Sequence, residues 1–409
     1  MHYCRFCNNP LTHVFVDLGH QPLSNSFLTS DELELPEITY PLKVYVCDFC
    51  WLVQLPTTKN ADEIFNEGYA YYSSYSKTMV DHAKEYVDMI IPRLGLNSES
   101  QIVEIASNDG YLLRHFPEGF KLLGIEPAEG PVIESRRKGI PTALNFFGTK
   151  FITDLYSSSH GVICADLIIA NNVLAHVPNL NDFVEALKMA LAPDGTITIE
   201  VPHLMKLIEG RQFDTIYHEH LSYFSFTTLC RIFGAHGLVV FDVEELTIHG
   251  GSLRIYAKHE PSDWFSDKTR ELLLREGATG IITPPYYSGF QWKINQVAVS
   301  LNSFLIANQE LGARIAAYGA AAKFNTLLNY CGVKPYLIPY VCDASPHKQG
   351  KFLPGSHILI LKPKALKIYR PDYILIAPWN IQDEIIEQLS YVRSWGCKFI
   401  TAIPRLEVL

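Results

Sequence analysis

Residues 102–115 read Ile-Val-Glu-Ile-Ala-Ser-Asn-Asp-Gly-Tyr-Leu-Leu-Arg-His, and this stretch decides the fold of the chain. The apolar run at 102–105 predicts a buried strand, and the Ser-Asn-Asp-Gly after it predicts a tight turn into a helix. A strand, a turn and a helix N-terminus form a nucleotide-binding corner, because free backbone N–H groups and the helix dipole face one crevice. The corner lacks the G-x-G-x-x-G pattern, which argues against a dinucleotide.

Two carboxylates indicate which ligand this corner holds. Glu104 lies inside the predicted strand, where a buried carboxylate needs a partner, and a cationic ligand such as S-adenosylmethionine would supply one. Glu126 ends a second apolar run, at 122–125, where an acidic residue suits the two hydroxyls of a ribose. A lone acidic residue after a strand is usually only solvated, but together with the first turn it favours ligand binding.

Two further strand-like runs place polar residues at the same edge. Asn145 and Phe146 follow the position where a third strand should end, and would cover an adenine ring. Asn172 and His176 follow a fourth buried run, at 166–170. Residues just past the carboxyl ends of parallel strands face the ligand crevice, so we expect these side chains to line it.

The composition bounds the class of protein. At 409 residues, and with about 150 residues per domain, two or three domains are expected. Hydrophobic content of 48% and charged content of 19% are typical of a globular protein. The net charge of −9 gives no basic footprint, so nucleic acid is not expected as a partner. With no long apolar run and no signal peptide at the first residues, we expect a cytoplasmic protein that does not bind a membrane.

Two Cys-x-x-Cys pairs stand near the start of the chain. Cys4 with Cys7, and Cys47 with Cys50, would each bring two thiolates to one tight turn, and the two turns together would complete a tetrahedral zinc site. The insert between the pairs is longer than in most zinc ribbons. A redox pair or two disulfides are the alternatives, and a cytosolic setting disfavours both. We therefore predict a closed, structural zinc site.

The densest polar cluster is Tyr217-His218-Glu219-His220. A histidine and a tyrosine near one carbon, with a glutamate setting the histidine tautomer, form a workable general base. A His-x-His metal site is the alternative, but the zinc-protease pattern H-E-x-x-H is missing. Further along, the Gly-Gly turn after His249 joins two β segments, and Arg254 lies in the second of them.

The last third of the chain repeats the strand–turn–helix pattern. A strand at 314–318 leads into the small residues of 319–322 and then Lys323, which resembles a degraded phosphate cradle. Strands at 339–343 and 373–377 follow, so a second Rossmann-like domain is predicted. From its position alone, Lys323 either binds an anion or is solvated.

Taken in order, these motifs resemble the S-adenosylmethionine-dependent C-methyltransferases that act on nucleotide-linked deoxysugars. The resemblance covers essentially the whole chain. It rests on both Cys-x-x-Cys pairs, Leu18-Gly19-x-Gln21-Pro22-Leu23-Ser24-Asn25, residues 103–110, Asn172-x-x-x-His176-Val177-Pro178, Tyr217-His218-Glu219-His220, His249-Gly250-Gly251-Ser252-Leu253-Arg254, and residues 319–323 followed by Asp343-x-x-Pro346-x-Lys348-x-Gly350. The chain departs from the family at Ala106, where a glycine is common, and the extra methyl group would lower donor affinity without abolishing it.

The resemblance implies an α/β protein of three domains. These are a zinc-ribbon-like domain at 1–60, a Rossmann-like class I methyltransferase domain at 61–260, and a second Rossmann-like, substrate-binding domain at 261–409. The base would be Tyr217 or His220, supported by Glu219 and His176, with Tyr71 near the methyl group. The donor site would comprise Glu104, Ala106, Asn108, Gly110, Glu126, Pro127, Asn145, Phe146 and Asn172. The sugar would contact Asn25, His249, Arg254 and Lys323.

The activity implied is methylation of a carbon, with C3 favoured, beside the ketone of a nucleotide-diphosphate 4-keto-deoxysugar. Carbon is a poor nucleophile unless its proton is acidic, so a base must form an enolate that attacks the sulfonium methyl group. The alternatives are methylation of oxygen or nitrogen, which needs no base beside a ketone, and a zinc-ribbon adaptor without activity. The sequence leaves open the sugar, the nucleotide, the stereochemistry and the oligomeric state.

Overall fold

The computed structural model describes residues 2–57, 72–157, 163–261 and 265–409. Within these ranges the strands form a two-stranded ribbon and sheets of four, seven and six strands. The predicted site residue Tyr71 lies outside the described residues. None of the described helices is long and apolar enough to cross a membrane.

The N-terminal part of the chain is a small antiparallel β structure. Its strands are β1 (His2–Tyr3), β2 (Pro10–Leu11), β3 (His13–Gln21), β4 (Tyr40–Val46) and β5 (Val53–Gln54). Strands β1 and β2 pair as a ribbon, and β3, β4 and β5 form a sheet. In β4 alternate side chains (Leu42, Val44 and Val46) are buried, as expected for a strand with one face on the core. The fourth strand of this sheet, Ser222–Tyr223, pairs with β5 and comes from the central domain.

The central sheet has seven strands, mostly parallel. They are β6 (Gln101–Ile105), β7 (Lys121–Glu126), β8 (Thr142–Leu144), β9 (Ala165–Asn171), β10 (Leu191–Pro202), β12 (Leu238–Leu246) and β13 (Ser252–His259), with Ser222–Tyr223 as β11. The order is β12-β13-β10-β9-β6-β7-β8, and only the pairs involving β13 are antiparallel. Strand β6 separates β7 from β9, so the chain direction across the sheet reverses at β6, and a ligand crevice is expected outside its carboxyl end.

Helices cover both faces of this sheet. They are α1 (Lys77–Leu94), α2 (Glu129–Arg137), α3 (Thr149–Ser157), α4 (Leu180–Ala190), α5 (Leu204–Glu209) and α6 (Phe226–Ala235). Helix α1 begins where the Ser76 side chain accepts a hydrogen bond from the Met79 backbone, and ends at Gly95 with a left-handed φ of 64°. Its buried residues recur at helical spacing, which explains why this stretch packs as a helix against the sheet.

The C-terminal part is a second α/β domain. Its helices are α7 (Asp267–Thr279), α8 (Pro284–Tyr287), α9 (Phe290–Glu310), α10 (Ala322–Cys331), α11 (Ala365–Tyr369) and α12 (Gln382–Gln388). Its strands are β14 (Ile315–Tyr318), β15 (Tyr340–Cys342), β16 (Leu359–Leu361), β17 (Tyr373–Ile376), β18 (Lys398–Thr401) and β19 (Glu407–Val408). Their order is β16-β15-β14-β17-β18-β19, parallel except for β19. The predicted fold class, with two Rossmann-like sheets and a four-cysteine N-terminal domain, is confirmed.

The three parts pack on one another. Phe15 of β3 stacks on Phe290 of α9, with ring centroids 4.6 Å apart, and Trp51 stacks on Tyr287 at 6.1 Å. Several polar residues of the candidate site lie on short 3₁₀ helices, which are Leu174–His176, Phe213–Thr215, Ile248–Gly250 and Trp379–Ile381. The exact domain limits at 60 and 260 stay a prediction.

Candidate active site

The four N-terminal cysteines converge on one point. Their sulfur atoms all lie within 4.8 Å of one another, with 3.5 Å between Cys4 and Cys50 and 3.5 Å between Cys7 and Cys47. Each pair is carried by a tight turn, in which the Cys4 carbonyl accepts from the Asn8 backbone and the Cys47 carbonyl from Trp51. These sequence-distant thiols are therefore brought together as the knuckle spacing predicted.

The geometry fits zinc and not disulfides. A tetrahedral ion with Zn–S bonds of about 2.3 Å needs sulfurs roughly 3.8 Å apart, whereas a disulfide needs about 2.05 Å. All nine cysteines are free thiols. The side-chain amides of Gln54 and Asn9 donate to the sulfurs of Cys4 and Cys7, at 3.1 and 3.3 Å, which stabilises thiolates. The donor set is closed, so zinc would have a structural role here.

The zinc turn also contacts a loop of the central domain. The Arg5 guanidinium donates to the carbonyls of Val177 and Pro178, at 3.5 and 3.3 Å, and to that of Leu55. The backbone of Leu55 in turn donates to Leu221, at 2.9 Å. The N-terminal domain therefore holds both loops in which the predicted catalytic residues lie.

The turn after β6 has the strained backbone of a close-approach site. Ala106, Asn108 and Gly110 all have left-handed φ values, of 55°, 48° and 73°. At Gly110 the positive φ favours glycine, and a Cβ atom there would also lie 2.4 Å from the end of the Ile140 side chain. At Ala106 the positive φ favours glycine, because a Cβ atom is disfavoured in this conformation.

The Glu126 side chain links the turn after β6 to the turn after β7 by hydrogen bonds. Its two carboxylate oxygens accept from the backbones of Asn108 and Ala128, at 3.0 and 2.9 Å. Burial raises the pKa of Glu126, and those two backbone bonds oppose the rise. Each oxygen keeps a second lone pair, which leaves a bidentate acceptor for ribose hydroxyls at the end of β7.

Glu104 is a buried carboxylate with one oxygen unsatisfied. It is 1% exposed, and its Oε2 atom has no hydrogen-bond partner among the described residues. Burial, and then the charges of Glu126 and Asp109, raise the pKa of Glu104 well above its ordinary value. A cationic ligand would relieve both the burial and the repulsion, so these residues fit the cationic methyl donor.

The remaining predicted donor residues lie at the same edge of the sheet. The backbone of Asn145 donates to the Glu126 carbonyl at 3.1 Å, Phe146 is 43% exposed, and Pro127 follows Glu126 directly. Asn172 follows β9 directly, with a φ of 54°, and donates its backbone N–H to the Glu200 carbonyl at 2.8 Å. These residues thus lie at the carboxyl ends of the strands β7, β8 and β9, and their role in donor binding stays a prediction.

Tyr217 and His220 form a hydrogen-bonded dyad. The Tyr217 hydroxyl lies 2.7 Å from Nε2 of His220, while Nδ1 of His220 lies 2.7 Å from the Thr215 carbonyl. A carbonyl only accepts, so Nδ1 carries the proton and Nε2 accepts the Tyr217 hydroxyl. Burial, and then His176, hold the pKa of His220 well below its ordinary value, which keeps the ring neutral and able to accept a proton.

One expectation about this cluster needs correction, because Glu219 does not set the tautomer of His220. The Thr215 carbonyl does so instead. The Glu219 carboxylate accepts from the Asn25 side chain at 2.7 Å, and the Glu219 carbonyl accepts from Nδ1 of His176 at 2.8 Å. Glu219 therefore acts on His176, whose ring centroid lies 4.9 Å from that of His220. Every residue has a backbone carbonyl, so a sequence motif cannot show which carbonyl fixes a histidine tautomer. The motif therefore suggested Glu219, the nearest carboxylate, for this role.

His249 and Lys323 reach the same region from two different domains. The Gly250 turn beside His249 packs on Trp379, where a Cβ atom would lie 2.4 Å from the indole ring. Burial and then the charge of Lys323 lower the pKa of His249 to about 4. The charge of Lys323 also contributes to the lowered pKa of His220, after burial and His176.

Arg254, predicted to contact substrate, instead lies in a buried ion-pair network. It is 5% exposed, and it bonds Glu200 at 2.6 and 2.8 Å and Glu244 at 2.9 Å. His82 approaches the same Glu200 at 2.9 Å. Arg254 and Glu200 are paired across β13 and β10, so the sheet register dictates the contact. The guanidinium is committed to carboxylates, which disfavours a role in binding the sugar.

Sequence reasoning missed four groups outside the motif, of which Thr215 bonds His220 and the other three belong to a polar cluster between the central and C-terminal domains. They are Thr215, Asp214, Trp379 and Asn380. Asp214 lies three residues before Tyr217, and its proximity to the motif was the one available signal. Trp379 and Asn380 come from the distant C-terminal domain, so only the tertiary structure brings them to this place.

Comparison with known proteins identifies the family. Residues 4–65 match a zinc binding domain model, residues 79–243 a methyltransferase domain model, and residues 247–404 a model described as the C-methyltransferase C-terminal domain. The C-methyltransferase NovU of Streptomyces niveus is 33% identical over 408 residues, which cover 99% of this chain and 96% of NovU.

Solved structures of lower similarity include two S-adenosylmethionine-dependent methyltransferases. The one from Clostridium acetobutylicum is 10% identical with a TM-score of 0.35 and covers 44% of this chain and 92% of its own. The one from Mesorhizobium loti is 15% identical with a TM-score of 0.34 and covers 44% of this chain and 100% of its own. On the full-length match to NovU and the three consecutive domain matches, the chain belongs to the S-adenosylmethionine-dependent C-methyltransferases with an N-terminal zinc-binding domain.

Proposed function

We propose that this C-methyltransferase acts on a nucleotide-linked 4-keto-deoxysugar, at the carbon beside the ketone, with C3 as the methylated position. The observation that carries the proposal is the Tyr217–His220 dyad, with its 2.7 Å hydrogen bond and its carbonyl-fixed tautomer. A methyltransferase acting on oxygen or nitrogen needs no such base. Carbon needs one, because the C–H proton must leave before a carbanion exists.

Tyr217 and His220 act as one base in this proposal. As the Tyr217 oxygen takes the α-proton of the sugar, its own proton passes to Nε2 of His220, and the other ring proton stays on Nδ1, which donates to the Thr215 carbonyl. The C–H electron pair moves into the enolate, so charge and atoms balance. An unperturbed tyrosine has a pKa near 10, so the neutral imidazole beside it supplies the proton acceptor that the phenol lacks at neutral pH.

The donor site lies at the neighbouring edge of the same sheet. Bound S-adenosylmethionine supplies an electrophilic methyl group, which the enolate carbon accepts. Glu126 would bind the ribose hydroxyls, Glu104 would face the cationic end of the donor, and the Gly110 turn would approach the amino-acid tail. Asn145, Phe146 and Asn172 would enclose the adenine ring and the methyl-bearing end of the donor. The other predicted donor residues complete this set.

All three domains contribute to the sugar site that we propose. Asn25 comes from the N-terminal domain and contacts Glu219 of the central domain, and Lys323 comes from the C-terminal domain. A cleft closed by three domains excludes water, and exclusion protects an enolate from reprotonation and strengthens its electrostatic stabilisation.

Product analysis tests this proposal. The enzyme is incubated with donor carrying a ¹³C methyl group and a panel of nucleotide-linked 4-keto-deoxysugars, and the product is examined by NMR. A methyl signal coupled to C3 of the sugar ring is expected. A methoxy or N-methyl signal, or no turnover with any 4-keto sugar although the donor binds, would overturn it.

A further inference from the structure

A polar cluster joins the central and C-terminal domains beside the Tyr217–His220 dyad. Its members are Asp214 of the 3₁₀ helix Phe213–Thr215, Lys323 at the start of α10, and Trp379 with Asn380 on the turn after β17. Asp214 precedes Thr215, whose carbonyl fixes His220. Through Asp214 the cluster is therefore covalently next to Thr215, whose carbonyl orients the His220 ring.

Lys323 is held in place by the C-terminal domain. Its ammonium donates to the side-chain oxygen of Asn380 and lies 4.9 Å from the centre of the Trp379 ring. An ammonium has three donors, so the contact with Asn380 leaves others for a substrate oxygen. Lys323 is close enough to His220 and His249 for its charge to lower the pKa of both, although burial is the larger cause in each case.

Asp214 is a buried carboxylate with spare acceptor capacity. It is 1% exposed, its Oδ2 atom accepts from the Trp379 indole at 2.7 Å, and its Oδ1 atom has no partner among the described residues. Burial raises the pKa of Asp214 to about 6, against the opposing charge of Lys323. The carboxylate is thus near enough for the charge of Lys323 to act on its pKa, although the two side chains form no direct ion pair.

Helix α10 also contacts the backbone that leads to the dyad. The Thr326 hydroxyl donates to the Ile216 carbonyl at 2.9 Å, and Asn325 donates to the Ser24 carbonyl at 2.5 Å. Ile216 lies between Thr215 and Tyr217, so this helix holds the peptide on which the base depends. Ser24 precedes Asn25, so the same helix reaches the N-terminal domain.

We propose that Lys323 stabilises the negative charge that develops on the ketone oxygen of the sugar as the enolate forms, and that Asp214 and Trp379 are positioning residues that aim its ammonium. The inference rests on the proposed function. The α-proton passes to Tyr217 and the tyrosine proton to His220, so Lys323 donates a hydrogen bond and loses no proton.

The surroundings of Lys323 suit a transient charge better than the diphosphate of the substrate. A diphosphate carries permanent charge and is bound by several exposed donors, whereas Lys323 is enclosed by an indole, an amide and a carboxylate. The charge of Asp214 favours the protonated lysine and opposes the effect of burial, which lowers the pKa of Lys323. Such a pre-organised pair favours charge that appears only in the transition state, which is the property that raises kcat.

The test compares Lys323→Met with Lys364→Met, an exposed lysine of the same domain. Each full-length variant, loaded with zinc, receives a 4-keto nucleotide sugar in heavy water with S-adenosylhomocysteine, and exchange of the α-hydrogen is followed by NMR across substrate concentrations. Loss of one oxyanion donor typically lowers the rate by about 10²- to 10³-fold. We expect such a fall in the exchange kcat of Lys323→Met, a KM within threefold of wild type, and wild-type kinetics for Lys364→Met.

A raised KM with an unchanged exchange kcat would overturn the proposal and assign Lys323 to the phosphates. Calorimetry with S-adenosylhomocysteine checks that each variant is folded. If Tyr217→Phe loses exchange while Lys323→Met keeps it, this inference alone fails. If Tyr217→Phe exchanges at the wild-type rate, the proposed function itself fails.

Asp214→Asn gives a second test that keeps the shape of the site. The amide still accepts from Trp379, but the charge that favours protonated Lys323 is gone. The titratable groups around Lys323 are Asp214, His220 and His249, with His176 and Tyr217 behind His220. The pKa of Lys323 should fall, so the alkaline limb of the exchange kcat should begin at a lower pH than in wild type. An unmoved alkaline limb would remove Asp214 from the positioning role.

Discussion

Replacing Glu126 with alanine removes the carboxylate that links the turns after β6 and β7. In the free enzyme it accepts backbone hydrogen bonds from Asn108 and Ala128, at 3.0 and 2.9 Å. In the donor complex it would also accept two ribose hydroxyls. Hydrogen bonds to a charged group contribute about 1.5–3 kcal/mol each, so losing the two ribose bonds should weaken donor binding by more than tenfold.

The same substitution should also destabilise the unliganded protein. Two buried backbone N–H groups lose their acceptor, and an unsatisfied buried donor costs roughly 1–3 kcal/mol. We expect a lower thermal midpoint for Glu126→Ala, measured by circular dichroism. Glu99→Ala is the matched control, because Glu99 is exposed and pairs only with Lys121, and it should change neither quantity beyond error.

The pH dependence of binding gives an independent check. The ribose hydroxyls need an ionised acceptor, and burial raises the pKa of Glu126 above its ordinary value. Protonation on acidification therefore removes the acceptor, so donor affinity should fall as pH falls through this raised pKa, and Glu126→Ala should lack that fall. Calorimetric titration of S-adenosylhomocysteine measures both effects. Wild-type affinity in a folded Glu126→Ala variant would refute the assignment of Glu126 to the donor site.

Three further predictions follow from the other sites. Metal analysis should find about one zinc per chain, and Cys47→Ser should lower both zinc content and thermal stability, because the tetrahedron is incomplete; zinc-free, disulfide-bonded protein would contradict this. Ala106→Gly should raise stability by about 1 kcal/mol and keep or improve donor affinity, since it relieves a positive φ; a less stable variant in chemical unfolding would contradict the strain. Arg254→Met should destabilise the fold by up to about 3–5 kcal/mol, because the buried Glu200 loses its guanidinium partner and keeps the weaker contact with His82, with little change in the KM of the folded fraction; a selective rise in KM would return Arg254 to the substrate site.

The fold was accessible from the sequence where local pattern and burial agree. The apolar run at 102–105, the turn at 107–110 and the second carboxylate at Glu126 lie as predicted, since a buried parallel strand needs a continuous apolar run and its turn needs permissive residues. The helix predicted directly after that turn is wrong, because the structure has the three-residue 3₁₀ helix Leu113–His115 there in place of an α-helix. The cysteine pairs also came together, because a Cys-x-x-Cys spacing fixes half of a tetrahedron locally.

The contacts within the active site were harder to predict, for three physical reasons. The tautomer of His220 is set by the carbonyl of Thr215, and every residue has a carbonyl, so no side chain signals it. Arg254 was expected to contact the sugar, yet cross-strand register commits it to Glu200. Asp214 and Trp379 are far apart in sequence, and only the packing of two domains brings them together.

Exchange of the sugar α-hydrogen in heavy water tests the central claim most directly, because it isolates proton removal from methyl transfer. Wild-type enzyme with S-adenosylhomocysteine and a 4-keto nucleotide sugar should exchange the hydrogen at C3. Tyr217→Phe and His220→Asn should each slow that exchange by about 10²- to 10⁴-fold while S-adenosylhomocysteine still binds, and Tyr336→Phe, at an exposed tyrosine, should not slow it. Exchange at the wild-type rate in both dyad variants would show that the base lies elsewhere.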